Sequence, residues 1–503
     1  MKWIPLALLL LAPQEENTLR AAWGTVHTVD PALAVTPQEI RVVEALFDGL
    51  GGAASKVDGA VVTFTLPDRK WSDGRPVTAS DYRYAWLRCL RPSTGSPWAF
   101  RFRHIKNARA WHEAEALGER LLLYESEGPA GRKEIARAVS SHGTKRHLRA
   151  VQAAIQVEKN LEQQTALVVA TMLIKEKVDL DETAVGIKAV DARTLQVTLE
   201  APHPGFPVLA ATSPFRPVPE HVLAKRRDQW THPDNLVTSG VFGVEKWNRQ
   251  GLVLGRVVAG EGVGQISLVP SDLTGEVWPL FERGTVDWVD RALVPPEKVE
   301  ALAAAGEIRA AAGPGVAFLR LKPDLKAGLR RAIALSIDRA PLAKKAGPGS
   351  EETRSLAGGA QGPARDLVAA MTALAVEFPD LKVPRLRLLA WKGTSSEEFA
   401  RIVRDQLEES LALSVRIDLR EGPAYQGALA SADFDLALGS FAPEAGDPAG
   451  ALDLFVDGRT MGEKSLLESA LAVPLLREGE WFAAKARVVA DPGTPVAKIG
   501  LKK

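Results

Sequence analysis

The sequence predicts an α/β protein of more than one domain, and three observations carry that prediction. The chain has 503 residues, more than a single hydrophobic core supports. Across residues 386–440, short apolar runs alternate with segments of helical period, the pattern of a sheet covered by helices. Across residues 70–100, a strand end, a tight turn and a capped helix follow one another. Hydrophobic residues make up 46% of the chain and charged residues 25%, an ordinary globular balance.

Each element follows from its local pattern. Lys2 followed by apolar Ile4 to Ala12 reads as a secretory signal over residues 1–16. That run is shorter than the roughly 20 residues a membrane-spanning helix needs. Residues 17–50 read as a short strand, a loop at Asp30-Pro31, and a helix. Ile40, Val43, Leu46 and Phe47 share one side of that helix, which ends at Gly49. Residues 61–66 alternate as a strand. Asp73-Gly74 then makes a turn, because glycine takes positive φ without a Cβ clash. Thr78 and Asp81 cap the next helix, Tyr82, Trp86 and Leu90 line one face of it, and Pro92 ends it.

Residues 113–182 are rich in Ala, Glu, Lys, Arg and Gln. Leu148, Val151 and Ile155, then Leu167, Val168 and Met172, fall at helical spacing. Breaks at Gly128-Pro129 and Gly143 imply two or more helices. Strand character returns over 185–199, a Pro-rich loop covers 202–219, and 239–269 is β-rich. Residues 276–288 read as helix then strand. Val294-Pro295-Pro296 is a stiff connector and a candidate hinge. Residues 325–337 read as a helix stopped by Asp338-Arg339. Residues 347–362 are Gly/Ser-rich, a mobile loop by composition. The α/β stretch then reads as strand 386–391, helix 396–411, strand 415–419, helix 423–430 and strand 434–440.

Several chemistries find no support. His112-Glu113 lacks the second histidine of a zinc-protease helix. No GxSxG elbow and no GK[ST] phosphate loop is present, and Gly260, Gly262 and Gly264 sit in a β-type context. His142 and His147 read as solvated surface histidines rather than metal ligands. Cys89 is the only cysteine, which excludes an intramolecular disulfide and a cysteine metal cluster. It reads as a buried, inert thiol. A net charge of +1 lacks the basic footprint of a general nucleic-acid binder. The chain reads as a non-enzyme with no cofactor and no metal.

Several separate segments, in order, resemble the peptide/nickel family of extracellular solute-binding proteins. They are Asp30-Pro31 through Leu50; the dense match over 70–100; Ile187 to Asp191 with Thr194 to Leu199; Pro217-Val218-Pro219 with His221-Val222; Thr238 to Phe242 with Glu245-Lys246-Trp247; Phe281 to Trp288; and Arg331 to Arg339, close to the family's "AIDR" element. Residues 386–455 resemble its ligand-side α/β unit. Three departures stand out. The helical insert 113–182 replaces a short connection, 340–385 is abbreviated, and part of the usual second lobe is missing after Phe455.

The resemblance implies a two-lobed periplasmic-binding-protein-like fold (type II, cluster C-like), with a hinge between lobes and the insertion in lobe 1. The implied division is 1–16 signal, 17–290 lobe 1, 291–472 lobe 2, and 473–503 returning to lobe 1. It implies an extracytoplasmic receptor that closes on an extended oligopeptide and delivers it to an ABC transporter permease with its ATPases. No nucleic acid is involved and the protein acts as a monomer. With no cysteine after the leader, a free periplasmic protein is expected rather than a lipid-anchored one. Glu444 falls at the carboxylate that meets the peptide's α-amino group, and is equally legible as a solvated acid in a Pro/Gly loop. Ser440, Phe441 and Ala442 would supply one ligand-pairing edge, and Val35, Thr36 and Pro37 the other. Pro37 has no N–H to give. Trp391 and Tyr425 would replace lost stacking surface, core packing being the other reading of Trp391. The family's basic ligand contacts are replaced by residues such as Leu438 and Ser396. A second function, a degenerate member acting as a scaffold or receiving a non-peptide solute, follows from those departures.

Overall fold

The computed structural model describes residues 17–175, 177, 179–248, 251–269, 274–380, 382–392, 395–441, 463–492, 494 and 498–502. The leader-like segment 1–16, and Ala442 and Glu444, lie outside the described residues. The described chain forms two units, one running to Glu276 and taking in 498–501, the other running from Val277 to Thr494.

The first unit carries strands β1 (Thr18–Ala22), β2 (Ala54–Asp58), β3 (Val61–Thr65), β4 (Ile187–Ala189), β5 (Thr194–Thr198), β6 (Phe242–Asn248), β7 (Gly251–Arg256) and β8 (Gln265–Leu268). One sheet runs β2-β3-β5-β4, antiparallel throughout. Val62 and Phe64 of β3, and Leu195 and Val197 of β5, are buried while their neighbours are not, as alternation requires. In the other, β1 lies parallel to β8, and β8, β7 and β6 follow antiparallel.

Helix α1 (Pro37–Leu46) follows β1, and α2 (Ala79–Leu90) follows the Asp73-Gly74 turn, where Gly74 has φ 88°. Asp81 accepts from Thr78 N at 2.8 Å and Thr78 Oγ1 at 2.9 Å, fixing the start of α2. Trp86 is fully buried against Phe102, Phe206 and Phe215, and its Nε1 donates to Phe215 O at 2.8 Å. Cys89 is buried beside Ser96, and burial pushes its thiol up to about 12, which makes it unreactive.

The insert is four helices, α3 (Ala108–Leu122), α4 (Pro129–His142), α5 (Leu148–Val157) and α6 (Leu161–Lys175). Pro129 starts α4 and Gly143 ends it. Leu117, Leu121, Ile135, Val139, Val151, Leu167 and Ile174 close a core of their own. Two expectations are corrected here. Val168 and Met172 face outward, 40% and 66% exposed, because α6 is apolar around more of its circumference than its neighbours can cover. His147 is buried, not solvated: its Nδ1 accepts from Thr144 N at 3.0 Å, and burial lowers its pKa.

The second unit carries β9 (Trp288–Asp290), β10 (Ile308–Leu321), β11 (Glu351–Glu352), β12 (Leu386–Trp391), β13 (Val415–Arg420), β14 (Leu436–Phe441) and β15 (Ala472–Ala484). Its strand order is β13-β12-β14-β10-β15-β9, with β11 against β15. β12 is parallel to β13 and β14; the remaining pairs are antiparallel. Leu319, Leu388, Leu436 and Leu438 of the sheet pack with Ile333 of the helix Ala327–Ser336 and with Val403 and Leu407 of the helix Ser395–Leu411. The sequence reading turns back to the first lobe at 473. In the structure β15 instead pairs with β10 inside the second unit.

Segment 347–362 is not the free loop its composition suggests. Glu351–Glu352 joins β15, and both carboxylate oxygens of Glu463 hold the turn that follows. They accept from Ser355 Oγ, Leu356 N, Ala357 N, Gly359 N and Ala360 N, all at 2.7–2.9 Å. Among the described residues no helix is long and apolar enough to cross a membrane, and no cluster of metal ligands occurs.

Candidate functional site

In the second unit, three parallel strands end at the same edge of the sheet, the edge where open α/β sheets bind ligands. Trp391 closes β12, Arg420 closes β13, and Ser440 and Phe441 close β14. Of the sequence-predicted residues of this unit, Trp391, Ser440 and Phe441 therefore lie at one edge of the sheet, while Ala442 and Glu444 fall outside the described residues. The β12–β14 ladder stops at Leu389↔Ala437, whereas β14 continues to Phe441, paired only with β10 on its other side. Past Ala437, the β12-facing edge of β14 has no ladder partner among the described residues.

Side chains shape that opening. Trp391 is 39% exposed, so it does not belong to the core. Its ring stacks on Tyr425 at 5.4 Å between centroids and 21° between planes. Tyr425 is buried, held by the helix Gly422–Ala430, and its hydroxyl donates to Leu438 O at 2.5 Å. Burial raises the Tyr425 pKa, so it remains a donor. At Gly439 a Cβ would sit 2.6 Å from the Phe318 ring, so a larger residue there requires that ring to shift. Ser440 Oγ donates to Glu478 Oε2 at 3.0 Å. Leu438 is buried, and Ser396 Oγ accepts from Trp391 N at 3.3 Å.

The other predicted segment, Val35 to Pro37, belongs to the first unit and is braced from several sides. Asp30 takes both Arg88 guanidinium nitrogens, at 2.9 and 2.6 Å. Ser96 Oγ donates to Ala32 O at 2.6 Å, and Trp98 Nε1 to Ala34 O at 2.8 Å. Thr36 caps α1 through Glu39 N, and Glu39 Oε2 accepts from Val35 N and Thr36 N, each at 3.1 Å. The N–H groups of Val35 and Thr36 are thus spent internally, the Thr36 carbonyl accepts from Ile40 N at 2.9 Å, and the Val35 side chain is exposed. Burial acts to raise the Glu39 pKa, but hydrogen bonds from Thr36, Val35 and His27 outweigh it and the net shift is downward. Glu39, Asp30, Arg88 and Ser96 escaped the sequence reading as braces. The Thr36–Glu39 capping-box spacing was a signal for Glu39, whereas the Asp30–Arg88 and Ser96–Ala32 contacts span 58 and 64 residues and leave no local pattern.

Comparison with known proteins identifies the family and the fold. The family model described as bacterial extracellular solute-binding proteins, family 5, matches residues 31–463. The oligopeptide-binding protein of Bacillus subtilis is 23% identical over 475 residues, covering 86% of this chain and 75% of its own length. A probable deoxycholate-binding periplasmic protein of Escherichia coli is 26% identical over 296 residues, and the periplasmic oligopeptide-binding protein of that organism 28% over 250. Those alignments cover 55% and 46% of this chain, but only 42% and 34% of the two relatives. Among solved structures, a periplasmic oligopeptide-binding protein of Borrelia burgdorferi superposes with TM-score 0.67 at 19% identity, covering 96% of this chain and all of that one. The murein tripeptide-binding protein of Escherichia coli gives 0.67 at 20%, covering 97% and 99%. The fold is therefore that of the periplasmic oligopeptide-binding proteins, and the chain belongs to the bacterial extracellular solute-binding proteins of family 5.

Proposed function

We propose that this protein is a periplasmic receptor that captures oligopeptides and delivers them to an ABC permease with its ATPases, acting as a monomer. The observation that carries this reading is the unfinished ladder at β14. The strand runs four residues past its last pairing with β12, from Leu438 to Phe441. An extended peptide laid there gains main-chain hydrogen bonds whatever its side chains, the mode of strand addition to a sheet edge. Trp391 over Tyr425 offers a stacking face beside it. Pockets that keep water accept varied side chains without large loss of affinity. The peptide ligands named for relatives support the same class. In this reading Glu444, on the segment after β14, meets the peptide's α-amino group, and the Val35 carbonyl is a second main-chain acceptor.

Native mass spectrometry of gently purified protein tests the proposal. Co-purifying peptides are expected, with occupancy falling in Glu444→Ala and in Trp391→Ala. Equal occupancy in Glu444→Ala and the parent would remove Glu444 from the site. Saturable stabilisation by deoxycholate, with none by any peptide library, would overturn the peptide class itself.

A further inference from the structure

The second unit also contains an open cavity of about 470 Å³, lined in part by Asp338, Arg339, Glu352, Arg354, Gln361 and Arg365. Arg339 is 4% exposed. Its Nε donates to Pro474 O at 2.8 Å and another nitrogen reaches Ile337 O at 3.5 Å, while Nη2 is buried with no hydrogen-bond partner. No carboxylate lies within ion-pair distance of Arg339 or of Arg354 among the described residues. Arg365 does have one, Asp338 at 3.4 Å. Burial, and then the charge of Arg354, lower the Arg339 pKa to about 10, so the side chain is still cationic at neutral pH.

A buried cation with one empty donor and a second cation beside it is a costly arrangement unless something negative completes it. Glu352 and Asp338 stand on the wall of the cavity, but Asp338 is engaged by Arg365, and Glu352 does not pair with either remaining arginine. Guanidinium groups present planar forks of N–H donors that match phosphate oxygens two at a time. Gln361 adds an amide donor at the rim.

We propose that this cavity is a binding site for a small phosphate-type oxyanion, recognised by Arg339 from the buried side and by Arg354 from the exposed side. Arg365 contributes long-range attraction from the rim while holding Asp338 away. The volume exceeds that of a bare phosphate, so free phosphate and a small phosphorylated solute share the same chemistry here. The site is separate from the β14 edge and does not depend on the peptide reading.

Isothermal titration calorimetry on the full chain at constant ionic strength tests the proposal, with inorganic phosphate in one arm and glycerol 3-phosphate in the other. Saturable binding at one site per chain is expected in at least one arm, and the arm that binds more tightly identifies the source. Arg354→Gln, at an exposed position, should weaken that binding at least tenfold, and Arg365→Gln by a smaller factor. Arg339→Lys keeps the charge but loses the fork, and should fall between the parent and Arg354→Gln. Absence of saturable heat in both arms would overturn the site. So would binding by Arg354→Gln equal to the parent, or a stoichiometry well above one that declines with salt identically in parent and variant.

Discussion

The loop from Asp30 to Thr36 and the end of β14 are both candidate contact regions, yet they are built in opposite ways. In the loop nearly every polar group is already satisfied: Asp30 by Arg88, the carbonyls of Ala32 and Ala34 by Ser96 and Trp98, the amides of Val35 and Thr36 by Glu39. At β14 the main chain from Leu438 onward keeps its pairing with β10 but has no ladder pairing with β12 among the described residues, and Tyr425 caps the Leu438 carbonyl. The loop contributes shape and rigidity, because ordering costs were met on folding. The strand end contributes unspent backbone, because it still has hydrogen bonds to make. A mutation in the first should therefore appear as lost stability, and one in the second as lost binding.

The largest test is Asp30→Ala. It strands Arg88 in a nearly closed environment, where loss of one partner of a buried pair costs about 3–5 kcal/mol. Denaturant unfolding should show that loss. A change below 1 kcal/mol would mean that the loop is not braced through this pair. Glu39→Gln is next, at about 2 kcal/mol, because a charged acceptor of three backbone N–H groups is replaced by a neutral one. It also predicts a pH signature. The folded pKa of Glu39 lies below its ordinary 4.5, so its contribution is complete above the unfolded value and is lost as pH falls through the folded one. Parent and Glu39→Gln stabilities should converge in acid; a constant gap from neutral pH downward would contradict the assignment.

Trp391→Ala should do the reverse, weakening peptide affinity about tenfold, or about 1.4 kcal/mol, with a smaller effect on unfolding. Titration with a co-purified peptide would measure it, and unchanged affinity would leave the Trp391–Tyr425 stack a purely structural feature. The smallest effect belongs to Tyr425→Phe, which removes one hydroxyl donor to Leu438 O and should cost about 1 kcal/mol. If Leu438 O then becomes available to ligand, affinity should hold or rise slightly while stability drops. Parallel loss of both would mean that the phenol orients Trp391.

Much of this organisation was legible in the chain. The strands at 386–391, 415–420 and 436–441 and the helices between them follow from period and turn signals. So does the Thr78–Asp81 cap. The two longest strands, β10 and β15, gave no such signal. β10 contains Gly313-Pro314-Gly315 and β15 contains Pro474 and Gly479, residues that locally mark breaks. The pairing absorbs them: the register steps from Ala312↔Gly479 to Val316↔Arg477 across an irregularity. The loop 347–362 failed for a related reason, since its anchor, Glu463, lies about a hundred residues away in sequence.

The sequence alone determined the family, the α/β class and the local elements, because periodicity, capping boxes and turn residues act over a few positions. Only tertiary structure decided what those elements offer. It placed three parallel strand ends on one edge and spent the amides of Val35 and Thr36 on Glu39. It stacked Trp391 on Tyr425, and left Arg339 buried with its Nη2 lacking a hydrogen-bond partner. Whether a hydrogen-bonding group is free depends on which distant residue reaches it first, and local sequence carries no record of that.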